Sequence, residues 1–516
     1  MCTIRQMDDD LVIIEMFRPV GSRPDIADRA KVGTGYRCCQ APSDADDGMA
    51  ACDESAAQRP ADEAGGTGHQ NARQASFSGG CLRPDCAGDM HANALEKQRR
   101  ASNLIPVAVA THDITTSRSA PRPVSRPHGA RRLKLLLLVT EDWYFWSHRL
   151  PVARAAREAG FMVVVATRVR AHGDRIGKEG FALRPLAWRR RGDGLLGAGR
   201  AIAEIARLYR SERPDLVHHV ALKPVLFGGI ARCLAFSGSP DAPAVVNSIM
   251  GLGSGFSYAS FAAKLRRPAL GIGLRLAAGR NRGWVVAQNP EDRAALVRLG
   301  IERERIAMIR GSGVDPGHFL PMPDPRTATV TVALVSRMLR EKGVLDAVAA
   351  IRLLRARGVP VELVLAGPTD LDNRGSLTTD CLSALAAEPG IDWLGPVTDV
   401  REVWRRAAIA VLPSTYGEGV PKALLEAAAC ARPIVATDIP GCREVVRRGK
   451  TGVLVTPGDV EGLATAIAAL ASDPARRVAM GAAGRALIEA EFREDIVVRE
   501  TLAVYRAALR ERAARR

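Results

Sequence analysis

The sequence predicts an α/β protein of two successive domains, each a doubly wound parallel sheet covered by helices on both faces. Three observations predict it. Continuous runs of aliphatic and β-branched residues recur along the chain without polar alternation, the mark of strands buried on both faces. Amphipathic helical stretches separate those runs, as parallel crossovers require. The alternation then restarts near Arg305, after about the length that one domain needs. The composition agrees, with 47% hydrophobic and 25% charged residues in a chain of 516. Only 4% of the residues are aromatic, which argues against a carbohydrate-binding sandwich or a base-stacking surface.

Residues 1–130 stand apart. They mix Ala, Ser, Pro, Gly and Asp without apolar periodicity, and such a segment cannot bury enough surface to offset its ordering entropy. A disordered extension is expected there. The short apolar run near the N-terminus, Leu11–Phe17, follows Asp8–Asp10, where a signal peptide needs basic residues. No run of about 18 apolar residues occurs anywhere, so a cytoplasmic protein is expected. Six of the ten cysteines lie in this extension and the others are scattered without a CxxC pair. Free thiols in a reducing compartment follow, and Cys81, Cys86 and His91 lack a fourth ligand for a metal.

The first domain, residues 131–300, opens with the strand Lys134–Thr140, then a loop, TEDWYFWSHR, and the helical pattern HRLPVARAAREAG. Strand Phe161–Val169 follows, then the long amphipathic helix Leu195–Glu212 and strand Asp215–Val220. The helix VLFGGIARCLAF and strands Ala244–Ile249 and Gly283–Asn289 complete this half. In the second domain, residues 301–492, the expected strands are RIAMIRG, TVTVALVSR, VELVLAG, IDWLGPV, AIAVLPS, PIVATDI and TGVLVTP, most of them separated by helical segments. A last helix, residues 493–516, is long enough to return to the first domain. Ligands of such folds sit beyond the carboxyl ends of the strands, so two facing domains make one cleft.

The richest stretch is STYGEGVPKALLEAAACA, Ser414–Ala431. A strand ends in a Gly-flanked loop, and Pro421 stands where a helix should begin. Glu418 then lies ahead of the helix and Glu426 one and a half turns inside it, roughly 10 Å away. Between them the helix N-terminus favours an anion, and Gly417 and Gly419 allow close backbone approach. Ribose at one carboxylate, pyrophosphate at the helix end and sugar at the other would suit a nucleotide-diphosphate-sugar. Upstream, VALVSRMLREKG ends a strand with Arg337 and starts a helix at Lys342 and Gly343. Arg grips a pyrophosphate with its fork and Lys adds a point charge. No DxD-type acidic pair lies in a suitable loop, so these two cations would neutralise a leaving diphosphate without metal, and no cofactor is expected.

Glu418 with Glu426 (E-x7-E) and Arg337 with Lys342 (R-x4-K) resemble the motifs of the family 4 retaining glycosyltransferases. Their fold is GT-B, two Rossmann-like doubly wound domains facing across a cleft. GSGVDPGHF (Gly311–Phe319), ATDIPGCREVV and TGVLVTPGD are also similar, and the resemblance runs from Leu133 to the C-terminus. TEDWYFWSHR, KPVLFG and NSIMGLGSGF resemble the branch that adds a sugar to an undecaprenyl-diphosphate-linked sugar. The resemblance implies an acceptor-binding first domain and a nucleotide-sugar-binding second one. Arg337 and Lys342 would bind the diphosphate, Glu418 the transferred sugar and Glu426 the ribose. Pro396 and Val397 would face the base, with Gly367, Val420 and Gly313 also on the donor side. Retention would come from same-face attack, with the acceptor hydroxyl bonded to the leaving phosphate, not from a carboxylate nucleophile.

One departure is the first loop, which lacks the glycine pair of many relatives. Glu141, Asp142, His148 and Arg149 are expected to line the acceptor floor instead. His218 and His219 are adjacent on one strand, so only one can face the cleft. A buried, satisfied strand histidine is the commoner outcome, with His219, Asn247 and Ser248 as further acceptor-side candidates. The charge is +17 overall, yet residues 1–130 carry a net −2, and Arg184–Arg282 holds 16 basic against 5 acidic residues. Lys264, Arg266, Arg267, Arg275, Arg280 and Arg282 interleave with apolar residues over Phe261–Trp284, which suits an anionic membrane surface. The expected enzyme moves a sugar from a UDP-sugar to a polyprenyl-diphosphate-linked acceptor at the inner face of the plasma membrane, in cell-surface polysaccharide assembly. A nucleotide-sugar 2-epimerase of similar architecture is the alternative. Nucleic-acid binding would fit the basic charge alone, and the chain lacks the aromatic platforms for it.

Overall fold

The computed structural model describes residues 131–188, 194–251, 274–275 and 283–516. All of them belong to one compact unit. The expected disorder of residues 1–130 and most of the basic segment 261–284 lie outside the described residues.

The first sheet has seven parallel strands: β1 (Lys134–Glu141), β2 (Met162–Arg168), β3 (Ala182–Pro185), β4 (Leu216–Val220), β5 (Ala244–Ser248), β6 (Trp284–Ala287) and β7 (Ile306–Met308), in the order 3-2-1-4-5-6-7. The run Leu135–Val139 explains the centre. All five side chains are fully buried, because β1 lies between β2 and β4 and under helices on both faces. The second sheet has six: β8 (Val330–Val335), β9 (Val361–Ala366), β10 (Ile391–Trp393), β11 (Ile409–Leu412), β12 (Ile434–Thr437) and β13 (Gly452–Val455), in the order 10-9-8-11-12-13. The strand order reverses at β1/β4 and at β8/β11, and such switch points open the crevices in which doubly wound folds bind ligands.

The structure corrects several expectations. RIAMIRG does not open the second domain. Its core, β7, pairs with β6 at the edge of the first sheet, Ile306 opposite Val285, because β6 would otherwise leave its outer backbone unpaired. The passage between sheets therefore falls between Met308 and Val330, not near residue 300. The four-residue β3 has too short a pattern to be seen in sequence. TEDWYFWSHR is no loop: β1 runs directly into a helix, Asp142–His148, and a second helix, Leu150–Glu158, follows. Phe145 is buried edge-on to Phe181, and Trp146 carries the Arg175 guanidinium 4.3 Å from its ring centre.

After the helix Pro474–Glu491 the chain crosses back. Val314 N–H donates to the Phe492 carbonyl and Glu494 N–H to the Val314 carbonyl, each at 3.0 Å. The helix Glu494–Ala513 then packs Val497, Val504, Tyr505 and Ala508 into the apolar cluster that holds β1 and β2. Polar contacts fix its rotation, with Tyr505 Oη 2.6 Å from His218 Nδ1 and Arg512 3.1 Å from Asp215.

Candidate functional site

The β8 turn forms one wall of the site. Its strand ends at Val335, short of Arg337, and a short 3-10 turn, Arg340–Lys342, precedes the helix Val344–Ala356. Gly343 joins the two with φ 71°, and a Cβ there would lie 2.0 Å from the Pro413 carbonyl oxygen. Only glycine lets this turn rest against the end of β11. The approach brings Lys342 Nζ to both carboxylate oxygens of Glu418, at 2.5 and 2.7 Å. Ser414 Oγ donates to Glu418 Oε1 at 2.6 Å. Burial works against the Lys342 ammonium, but Glu418 and Tyr416 outweigh it and its pKa stands above the ordinary lysine value.

Arg337 pairs with Asp370, in the loop after β9, and its guanidinium lies 5.3 Å from the centre of the Trp143 ring in the first domain. Gly367, at the end of β9, has φ 141°, and a Cβ there would meet Ser336 O at 1.7 Å. Its N–H donates to the Gly395 carbonyl at 2.8 Å, and the Gly367 carbonyl accepts from Trp393 Nε1 at 3.2 Å. These bonds tie the ends of β9 and β10 and set Pro396, exposed, and Val397, half-buried, beside them.

Pro421 is extended (φ −68°, ψ 121°) and the helix begins one residue later, Lys422–Ala429. Gly417 faces open space, whereas a Cβ on Gly419 would lie 2.3 Å from Gln288 Oε1. That same oxygen, from the first domain, accepts the Val420 N–H at 3.0 Å. Burial pushes the Glu426 carboxyl up to about 7, against the opposing pull of Lys422. Gly313 falls elsewhere: a Cβ on it would meet Glu494 Cα at 2.7 Å, so its place is the return crossing of the chain. Two residues earlier, Gly311 is the glycine that touches Val420.

On the first-domain side, His148 stacks on Tyr144 with ring centres 4.2 Å apart, and its Nδ1 lies 2.6 Å from Ser147 Oγ. Burial, then Lys422, Arg149, Lys342 and Arg337, hold its pKa well below the ordinary histidine value. The imidazole is thus neutral and within reach of the second domain's cations, and Lys422 Nζ donates to the Ser147 carbonyl. Arg149 is buried, with one guanidinium nitrogen 2.8 Å from Met250 Sδ.

The other acceptor-side candidates are engaged in structure. Asp142 Oδ2 accepts the N–H groups of Arg170 (2.6 Å) and His172 (2.8 Å), which fixes the chain after β2. Glu141 lies 3.5 Å from Arg168 and 3.4 Å from Arg170, and both arginines also reach Asp372 of the second domain. His219 and Asn247 are fully buried, bonded to each other at 2.7 Å, with Tyr209 Oη 2.9 Å from the other ring nitrogen. Burial lowers the His219 pKa to about 4. His218 is equally enclosed between Tyr505 and Ser248. The strand end expected to offer acceptor contacts is a packed polar core instead.

Sequence reading missed Trp143, Gln288, Asp370 and Lys422. Lys422 stands inside the motif already singled out, and Gln288 follows the carboxyl end of β6, where doubly wound sheets place ligand contacts. Asp370 carries a signal too, since Asp370 and Asp372 form a D-x-D in the loop after β9, contrary to the expectation of no such pair. Here the two carboxylates are taken by Arg337 and by Arg168 and Arg170, while Trp143 meets Arg337 only through the fold.

Comparison with known proteins agrees with this architecture. Residues 134–277 match the family model described as Glycosyl transferase 4-like, and residues 329–473 match Glycosyl transferases group 1. The chain is 34% identical over 229 residues to alpha-maltose-1-phosphate synthase of Mycolicibacterium smegmatis, covering 40% of this chain and 58% of that protein. It is 26% identical over 180 residues to the capsular polysaccharide biosynthesis glycosyltransferase CapM of Staphylococcus aureus, covering 35% and 47%. The chain thus spans about half the length of these curated relatives. The crystal structure of Anabaena Alr3699/HepE in complex with UDP and glucose superposes with a TM-score of 0.58 at 18% identity, over 72% of this chain and 99% of that one.

Proposed function

We propose that this chain, a GT-B fold with a glycosyltransferase-type domain on each side of its cleft, moves a hexose or N-acetylhexosamine from a UDP-sugar to a lipid-linked saccharide, with retention, in cell-surface polysaccharide assembly. The carrying observation is the Lys342–Glu418 pair at the β8/β11 switch point, with Arg337 and Glu426 around it. Arg337 and Lys342 neutralise the departing diphosphate. Glu418 receives hydroxyls of the transferred sugar, and Glu426 the ribose hydroxyls.

In this reading the bond from the anomeric carbon to the diphosphate oxygen breaks as the acceptor oxygen forms its bond on the same face, and the hydroxyl proton passes to the departing phosphate. A glycosidase-type nucleophile is not needed, and Glu418 suits that role poorly, since Lys342 and Ser414 already occupy its oxygens. The UDP complex of the Anabaena protein and the capsular role of the Staphylococcus relative support the donor and the pathway class. Among the described residues no helix is long and apolar enough to cross a membrane. The polyprenyl-diphosphate acceptor and docking on the anionic inner face of the plasma membrane rest on the basic segment between Arg184 and Arg282.

The test is incubation of the full chain with membrane lipid extract and a panel of UDP- and GDP-sugars, followed by mass spectrometry. One added sugar on a lipid-linked saccharide, from UDP donors and undiminished by EDTA, is expected. A 2-epimer formed from UDP-N-acetylglucosamine alone, without transfer, would refute the proposal in favour of an epimerase.

A further inference from the structure

Among the described residues, two cations at the seam between the domains form no ion pair, although Lys422 acts at longer range on the Glu426 and Glu494 carboxylates. Arg149 is 3% exposed, yet among the described residues its guanidinium meets only the Met250 thioether, and its Nε has no hydrogen-bond acceptor. Lys422 donates to a backbone carbonyl, that of Ser147. Arg337 and Lys342, by contrast, each hold a carboxylate. The chain from residue 242 to 290, which includes Met250, contains no Asp or Glu that could supply one. A buried guanidinium is costly unless an anion joins it.

The surroundings point the same way. Met250 Sδ is approached by two donors, Arg149 at 2.8 Å and Gln288 Nε2 at 3.3 Å. A thioether is a weak acceptor, so convergent N–H groups of this kind suit an oxyanion better. The next residue, Gly251, abuts the donor loop, since a Cβ on it would lie 2.6 Å from Gly419 N. Arg149 therefore lies just beneath the seam, and neutral His148 stands beside it without adding a charge.

We propose that Arg149 and Lys422, flanking His148, form an oxyanion site on the first-domain side of the cleft that holds a phosphate of the acceptor. All four cations act on His148, so the site adjoins the pair Arg337 and Lys342 that would take the donor diphosphate. It rests on the glycosyl-transfer reading, and it assigns the two sets of phosphates to two sets of cations.

The experiment is calorimetric titration of inorganic pyrophosphate into the full chain saturated with UDP. Wild type should bind one pyrophosphate beside UDP. Arg149→Met and Lys422→Met should each weaken that binding at least tenfold. Arg149→Met should leave UDP affinity within twofold, and Lys422→Met, which also releases the loop before its helix, should lower UDP affinity by less than it lowers pyrophosphate binding. Unchanged pyrophosphate binding in both variants overturns the site, and an equal loss of UDP affinity assigns these cations to the donor and overturns it as well. Should Arg149→Met fail to fold, the half-buried Lys422 provides the same measurement. A wild-type chain that binds pyrophosphate through these two residues but takes up no UDP keeps the site and sinks the transfer reading.

Discussion

Replacing Lys342 by methionine separates charge pairing from catalysis. Lys342 and Glu418 side chains are 14% and 10% exposed, so the substitution leaves a mostly buried carboxylate whose remaining donor is Ser414. Breaking a buried pair in this way costs about 3–5 kcal/mol. Glu418→Ala alone strands the ammonium at a similar cost, so neither single variant leaves stability untouched. The double variant Lys342→Met/Glu418→Leu removes both charges and should return to within about 1 kcal/mol of wild type. The cycle then yields the coupling energy directly. Turnover behaves differently, because the ammonium is lost from the departing diphosphate in Lys342→Met and in the double variant. Both should fall about a hundred- to a thousandfold or more. Urea unfolding with fitted slopes measures the first quantity, and single-turnover UDP release the second. A double variant that regains turnover along with stability would refute the catalytic assignment. An unchanged urea midpoint in Lys342→Met would refute the buried pair.

Two further outcomes follow from buried groups. Burial lifts Glu426 from 4.5 to about 7, so the folded state holds this proton more tightly, and its contribution to stability falls as pH rises from about 4.5 to about 7. If the ionised carboxylate receives the ribose hydroxyls, UDP affinity should climb between pH 6 and pH 8, and Glu426→Gln should flatten the profile; calorimetry at three pH values checks this, and a flat wild-type profile rejects the ribose role. Tyr505→Phe removes the hydroxyl 2.6 Å from His218 Nδ1, in a site with no exposure. Unfolding free energy should drop by about 1–3 kcal/mol, read from urea curves.

The legible part of the fold is the part carried by local pattern. β1, β2, β4 and β5 are continuous aliphatic runs, and a strand buried on both faces needs little else to be recognised. β7 is legible as a strand and illegible as to its sheet, since three residues can pair with whichever edge is open and the edge is a tertiary fact. The helix Asp142–His148 was hidden because its aromatic-rich sequence has no helical periodicity. It is held by Asp142 capping the backbone of residues 170 and 172. Within the site, Glu418, Lys342 and Arg337 are readable because motif spacing across a strand-to-helix turn limits where they can point. His219 and Asn247 show the converse. They stand at a strand end that faces a ligand crevice in many doubly wound sheets, but Tyr209 lies close enough to draw the imidazole into the core.

The donor loop is shaped by both domains, and this explains why the second-domain motifs alone do not describe it. Val420 N–H, which belongs to the loop before the helix Lys422–Ala429, is held by Gln288 of the first domain. Lys422, at the first turn of that helix, is held by the Ser147 carbonyl. Gly419 is hemmed by Gln288 and Met250, and a Cβ on Gly441 would lie 1.6 Å from the Gly419 carbonyl oxygen. Four constraints, two of them hydrogen bonds that cross the seam, thus act on Gly419–Lys422. A donor phosphate that needs the Val420 N–H must displace the Gln288 oxygen, an exchange of one acceptor for a charged and stronger one. On the proposed reading, donor binding is coupled to the contact between the domains, and a rearrangement of that contact changes the geometry of the loop before it changes any residue of the motif.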